Sequence, residues 1–441
     1  MRSSHNLARV ETTFDDDSVV PNGGLQASAA LAQKLGVAEL VDKRVKLRAD
    51  QAGRANCGIK AMTVVGAMLT GGDSIDDCEV LRAGAAPKVF THTRAPSTIG
   101  TWLRGFNWAA VRMFDAVARI VLARAWAAGL GPDLDADLTI DVDSTVCQTY
   151  GTAKHGAKFG YTKVRGYHPL LATLVGTGEV VHARMRGGNA GSARGAGTFI
   201  RETIRRVRDA GATGALTVRA DSAFYSKAFI NACVAHDVRF SVTVKLFKPI
   251  KEAIEAIPES AWVPIDYWMH GGADVAETTY TAFKGTRDER ELRLIVRRVR
   301  PTPGSQLALD VVFDYHPFLT DRPGDTVWLE ADHRRHAVVE LDIRDLKAGG
   351  LAHVPSGSFF ANAAWLALAV LAHNIARWTL RAAGGEWADA TAETFRRKLV
   401  AMPARVVRTA RTIKLRFPRN WPWADAYDAA LATIRALPAS T

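Results

Sequence analysis

The chain has 441 residues, 48% of them hydrophobic and 23% charged. That length and balance exclude wholesale disorder, collagen and a fibrous coiled coil, and suit two to four globular units of roughly 150 residues each. The 57 Lys and Arg against 45 Asp and Glu leave a net charge of +12, which points to a polyanionic partner. Residues 1–133 read as mostly helical, with apolar runs from Ala29 and over Ile59–Leu69 and a Pro96-Ser97-Thr98 start signal. A further long helix is expected over Asn107–Ala128. The texture changes at Leu134. Leu138–Val142 is a short β-rich run, and Gly166–Val175, the turn Gly176-Thr177-Gly178 and Glu179–Met185 read as a hairpin. The glycine-rich stretch Gly187–Gly197 leads into a helix over Thr198–Ala210. A buried strand over Ala215–Ala220, a helix over Ser226–His236 and a strand over Arg239–Lys245 complete a mixed-sheet α/β unit.

From 246 to 325 the pattern is β-rich, with strands expected over Thr278–Phe283, Glu291–Arg300 and Leu307–Tyr315 and a helix over Ile250–Ile257. One helix is expected over Trp328–Leu346. Val354–Ala376 has no Asp, Glu, Lys or Arg; its Ala-rich centre and its Asn362, His373 and Asn374 predict a buried helix and not a membrane span. Val406–Phe417 alternates in polarity. The first twenty residues contain no apolar core of a secretory signal, and Cys57, Cys78, Cys147 and Cys233 form no C-x-x-C pair, so the expected setting is the cytoplasm, without disulfides, cysteine-bound zinc or membrane.

Three acids stand where acids are costly. Asp141 and Asp143 interrupt the first strand and, two apart, point the same way. Asp221 ends the strand Ala215–Ala220, and carboxylates at the ends of adjacent strands meet at the edge where open α/β sheets bind ligands. Hard oxygen ligands there suit Mg²⁺ or Mn²⁺. Read singly, Asp221 serves equally as a helix cap and Asp143 as a turn residue. At 100° per residue, His333, His336, Glu340 and Lys347 share one face of the expected helix; a solvated salt-bridged face built on Asp342, Arg344 and Asp345 is the competing reading.

Asp143-Ser144-Thr145 on a first strand, Asp221 after a later one, then a β insertion and Glu340 on a helix resemble the DDE transposases of bacterial insertion sequences. The family pattern Y-x2-R-x3-E-x6-K is kept in spacing as His333-x2-His336-x3-Glu340-x6-Lys347, with His at the Tyr and Arg positions. The resemblance implies an α/β fold. Its ribonuclease-H-like core, a mixed five-stranded sheet with helices, would carry an all-β insertion, a helical N-terminal domain and a helical C-terminal region. The corresponding boundaries are 1–133 for DNA binding and dimerisation, 134–245 for the first part of the core, 246–325 for the insertion, 326–380 for the helix with the catalytic Glu and its packing helix, and 381–441 for a basic tail. It further implies two divalent ions, Mg²⁺ or Mn²⁺, with Asp143 bridging both and Asp221 and Glu340 holding one each, so that the three acids are both metal ligands and catalytic residues. Asp141, Lys347, His333 and His336 would support them.

Double-stranded DNA, as element ends and as target, is the implied partner, held by a homodimer in a synaptic complex at the nucleoid. Arg184, Arg186, Arg194, Arg201, Arg205, Lys154, Lys158, Arg334 and Arg335 are the expected DNA contacts, and Arg405, Arg408, Arg411, Lys414, Arg416 and Arg419 form a further positive stretch. Cut-and-paste cleavage and strand transfer are the implied activity. A DNA-binding protein without catalysis, a related nuclease and a zinc hydrolase on His333, His336 and Glu340 are the alternatives.

Overall fold

The structure, a computed structural model, describes residues 6–268, 272–300, 313–409 and 412–438. It is built around one twisted sheet with strands β1 Leu138–Ser144, β2 Leu170–Leu174, β3 Val180–Arg184, β4 Leu216–Ala220, β5 Arg239–Thr243, β6 Val263–Ile265, β7 Ala273–Ala282, β8 Arg290–Val299 and β9 Asp314–Thr320. Their order is β6-β7-β8-β9-β5-β4-β1-β2-β3. β1, β4 and β5 run parallel, and every other neighbouring pair is antiparallel. The β-rich insertion is therefore not a separate sheet. β9 pairs with β5 through Phe318–Thr243 and Thr320–Ser241, and the insertion extends the core sheet sideways. Of the expected strand Leu307–Tyr315, residues 307–312 lie outside the described residues; the strand that is described, β9, begins at Asp314.

Ordered by chain, the longer helices are α1 Leu25–Lys34, α2 Val37–Arg44, α3 Cys57–Leu69, α4 Pro96–Arg104, α5 Trp108–Ala127, α6 Ala196–Asp209, α7 Lys227–Val234, α8 Lys248–Glu255, α9 Thr326–Arg334, α10 Val339–Lys347, α11 Phe359–Ala383 and α12 Ala424–Ala436. Local chemistry sets their starts. The Asn107, Ser226, Asp325 and Ser358 side chains each accept a backbone N–H of the first turn, satisfying a donor the helix itself leaves free. α11 is long and apolar enough to cross a membrane, yet it is buried inside the protein, with Trp365 and Trp378 each 1% exposed. α1, α3, α5 and α12 pack around it, and β3 lies against it. One apolar core runs from the N-terminal helices through the sheet to α12.

Three expectations are corrected. Gly166–Val175 is two strands, because Pro169 has no N–H to continue the ladder: Arg165–Tyr167 joins Cys147–Gln148 and Lys158–Phe159 in a small sheet, and β2 follows. The helix expected over Trp328–Leu346 is broken by a tighter 3₁₀ turn at Arg335–Val338 between α9 and α10. The C-terminal part is not wholly helical, since Ala404–Arg408 and Ile413–Arg416 form a hairpin before α12.

Candidate active site

The parallel register of β1 and β4 does most of the positioning. Val142 lies opposite Ala220, so Asp143 and Asp221, the next residues along, stand on neighbouring strand ends about one strand spacing, roughly 4.8 Å, apart. Asp143 takes the Ser144 N–H on Oδ1 (2.6 Å) and Asp221 takes the Ala223 N–H on Oδ1 (3.0 Å). Both acids thus also serve as the local turn residues that a plain reading expects. Asp143 leaves its second oxygen without a hydrogen-bond partner among the described residues, the Phe224 backbone also supports the Asp221 carboxylate, and Glu340, on the first turn of α10 and exposed, has no hydrogen-bond partner among the described residues.

The electrostatics join the three. Burial pushes Asp143 up to about 6, and the charges of Asp221 and Glu340 act in the same direction, while His336 opposes them. Burial raises Asp221 as well, against hydrogen bonding from Ala223 and the charges of His336 and Lys245. None of the three acids has an ion-pair partner among the described residues. They do not close into a set of three ligand atoms within 4.8 Å; the one such set among the described residues lies elsewhere.

Asp141 behaves oppositely to Asp143, although it sits two residues away on the same face. It is buried and receives Arg219 through both carboxylate oxygens, at 2.8 Å each. His336 Nδ1 meets Asp141 Oδ1 at 2.8 Å. Arg219, fully buried, continues to the carbonyl and carboxylate of Asp332, which also pairs with Arg322. Asp141 is thus committed to an ion-pair chain beneath the acids. Arg219 was legible in the sequence as an unexplained charge within an apolar strand.

Of the helical stripe, His333, His336 and Lys347 reach the sheet or the chain just past it, and Glu340 is exposed. His333 is enclosed, with Nδ1 at 2.7 Å from Ser241 Oγ, Nε2 at 2.9 Å from Thr243 Oγ1 and its ring stacked on Phe318. Burial drives it well below the usual imidazole range. Both its nitrogens are hydrogen-bonded, so neither is free to act as a metal ligand in this arrangement. Lys347 Nζ donates to Thr145 Oγ1 (3.2 Å) and the Val146 carbonyl (3.0 Å), tying α10 to the chain just past Asp143. No ion pair among the described residues joins Asp342, Arg344 and Asp345; Asp342 is instead raised to about 6, first by burial and then by Asp141 and Asp345 against Arg377.

The glycine-rich stretch docks on the same edge. Ser192 Oγ lies 2.9 Å from Ser144 Oγ, beside Asp143. A Cβ on Gly188 would meet the Gly166 and Lys158 carbonyls at 2.1 and 2.2 Å, so only glycine fits. Arg186 is the stretch's internal tie and not a surface contact: it is buried and donates to the carbonyls of His168, Gly191, Ser192 and Arg194. His168 passed unassigned in the sequence. It is buried, directs Nδ1 to the Ala190 carbonyl (2.7 Å), has no partner on Nε2 among the described residues, and senses the charge of Asp221.

The other expected DNA contacts divide. Arg184 pairs with Glu202, Lys154 donates to the Val354 carbonyl, and Arg334 lies between Glu330 and the Tyr267 ring, so these cations are largely occupied. Lys158, Arg194, Arg201, Arg205 and Arg335 are exposed, with Arg205 3.7 Å from Asp209. Lys245, exposed and beside Asp221, joins them. The tight trio Asp115, His182 and Glu202 is no cation site. Arg206 and Arg112 hold Asp115, and Arg112 and Arg184 hold Glu202, making an ion-pair knot between α5, α6 and β3.

The mixed α/β sheet thus brings two acids without ion-pair partners among the described residues to neighbouring parallel strand ends, with a third on a following helix. Across residues 3–439 the chain matches the family model described as Transposase DDE domain group 1, and it belongs to that family. Among solved structures, the cryo-EM structure of a piggyBac transposase synaptic complex with hairpin DNA is similar at 12% identity and a TM-score of 0.39, over 86% of this chain and 79% of that one. No curated protein sequence matches the chain.

Proposed function

We propose that the protein is the transposase of an insertion sequence, binding the element's terminal repeats and carrying out metal-dependent DNA cleavage and strand transfer with Asp143, Asp221 and Glu340. The observation that carries this reading is the contrast at the strand ends: Asp141 is held by Arg219, whereas half-buried Asp143 and Asp221 have no arginine partner among the described residues, and the Asp221 charge disfavours ionisation of Asp143. An acid cluster without an internal cation is expensive unless an external one is bound.

The donor set fits Mg²⁺ or Mn²⁺. Asp143, which carries the electrostatic influence of both other acids, is the ligand suited to sharing between two ions, with Asp221 and Glu340 holding one each. Bound there, the ions would supply Lewis-acid stabilisation at a DNA phosphorus. The chain's own residues do the rest. Asp141 and Arg219 hold His336 beside the acids, Lys347 fixes the chain after Asp143, and the Ser144–Ser192 contact holds the glycine-rich stretch over the strand end. Lys158, Lys245, Arg194, Arg201 and Arg335 are the exposed cations for phosphate contact, and residues 1–133, with Lys43, Arg44, Lys46 and Arg48 exposed, are the region proposed for end binding and pairing of two copies.

Asp143→Ala, Asp221→Ala and Glu340→Ala are each expected to abolish end cleavage in Mg²⁺ while leaving end binding in EDTA within a few fold. Wild-type cleavage by any one of them removes that residue from the site. Because a proton competes with metal on Asp143, cleavage should fall as pH drops through about 6. A pH–rate profile flat down to pH 5 would count against the metal-ligand role.

A further inference from the structure

The C-terminal hairpin has two faces of opposite character. Ala404–Arg408 and Ile413–Arg416 pair antiparallel, closed by the Thr409 N–H donating to the Thr412 carbonyl at 2.9 Å. Val19–Val20 pairs with the outer side of the first strand. Val406 and Leu415 lie opposite one another and, with Phe417, pack on Val20, Ala85, Ala86 and Ala404. That face is closed. The other face presents Arg405, Val407, Lys414 and Arg416, with Arg405 directly opposite Arg416 and Val407 opposite Lys414. Arg405, Lys414 and Arg416 are exposed. Asp16 pairs with Arg405, whereas Lys414 and Arg416 have no carboxylate partner among the described residues, nor do Arg408 at the far end of the hairpin and Arg419 just beyond it.

Like charges directly across a strand pair oppose its formation. A hairpin that keeps Arg opposite Arg, adds a lysine on the same face and anchors its back to an apolar core is shaped for an anion brought from outside. A two-stranded ribbon is also an element that the DNA major groove admits. We propose that this basic face is a second DNA-binding surface, built from residues other than those of the acid site, which lies on the phosphates of duplex DNA without reading its sequence. The proposal rests on the reading that the protein acts on DNA, and it adds the element that grips the duplex and the way it does so.

The test is a Lys414→Gln, Arg416→Gln double variant of the full chain. Its binding to a random-sequence duplex is followed by fluorescence anisotropy in EDTA over a salt series. The slope of log affinity against log salt is expected to flatten by about 1 for each cation removed, and by the same amount on a second, unrelated duplex. Lys414→Arg with Arg416→Lys keeps both charges and should retain the wild-type slope, which separates lost charge from a damaged hairpin. An unchanged slope in the glutamine variant overturns the ribbon alone, as does a loss confined to one sequence. A wild-type chain that binds no duplex overturns the ribbon together with the transposase reading beneath it.

Discussion

Asp141 and Asp143 share a strand and a face, and differ in burial and in what stands opposite. Asp141 faces Arg219 in register, and Asp143 is level with another acid. Arg219→Met should therefore cost roughly 3–5 kcal/mol, because it strands a buried carboxylate. The check is urea denaturation, with Asp141→Leu in the same chain recovering much of the loss. Asp342 gives the opposite signature. Its value is raised from 3.8 to about 6, so between those values the folded protein keeps a proton that the unfolded chain releases. Stability contributed by this group is then present below the unfolded value and is lost as pH climbs through about 6, by ~3 kcal/mol at most. Asp342→Asn should flatten that fall in melting temperatures recorded between pH 4 and 7. Asp342 escaped the sequence reading because nothing in a helical spacing tells which acid will be covered; Thr173 and Arg377 cover it from distant segments.

The break between α9 and α10 lets one stripe serve two purposes. His333 locks α9 onto β5 and β9 through Ser241, Thr243 and Phe318, while His336, Glu340 and Lys347 address the end of β1. The shared face was legible from the 3.6-residue period. The separate duties of the two histidines were not, because they depend on which strand lies beneath each turn. Lys347→Met removes two hydrogen bonds to Thr145 and Val146 and should lower end cleavage about tenfold or more while leaving end binding in EDTA unchanged, since it loosens the strand end that carries Asp143. A fall in binding of the same size would assign Lys347 to DNA contact instead.

At the scale of the molecule, α11 is the axis. Trp378 and Trp126 both donate to the fully buried Glu179 at the β2–β3 hairpin, so one carboxylate joins α5, α11 and the sheet. Trp378→Ala should cost about 3–5 kcal/mol through its cavity alone, and more through the donor that Glu179 loses. The apolar core is continuous, so calorimetry is expected to show one cooperative transition across the N-terminal helices and the sheet. Two separate transitions would mean that the helices of residues 1–133 fold as their own unit.

The general run of strands and helices and the acids at the ends of the two core strands were legible in the sequence alone, because period and punctuation are local properties of a chain. Tertiary structure decided which acids stay unpaired, that the insertion extends the core sheet, and that Arg184 and Arg186 hold the protein together. These depend on register and burial, and a charge's role is fixed by what another part of the chain brings within a few ångströms of it.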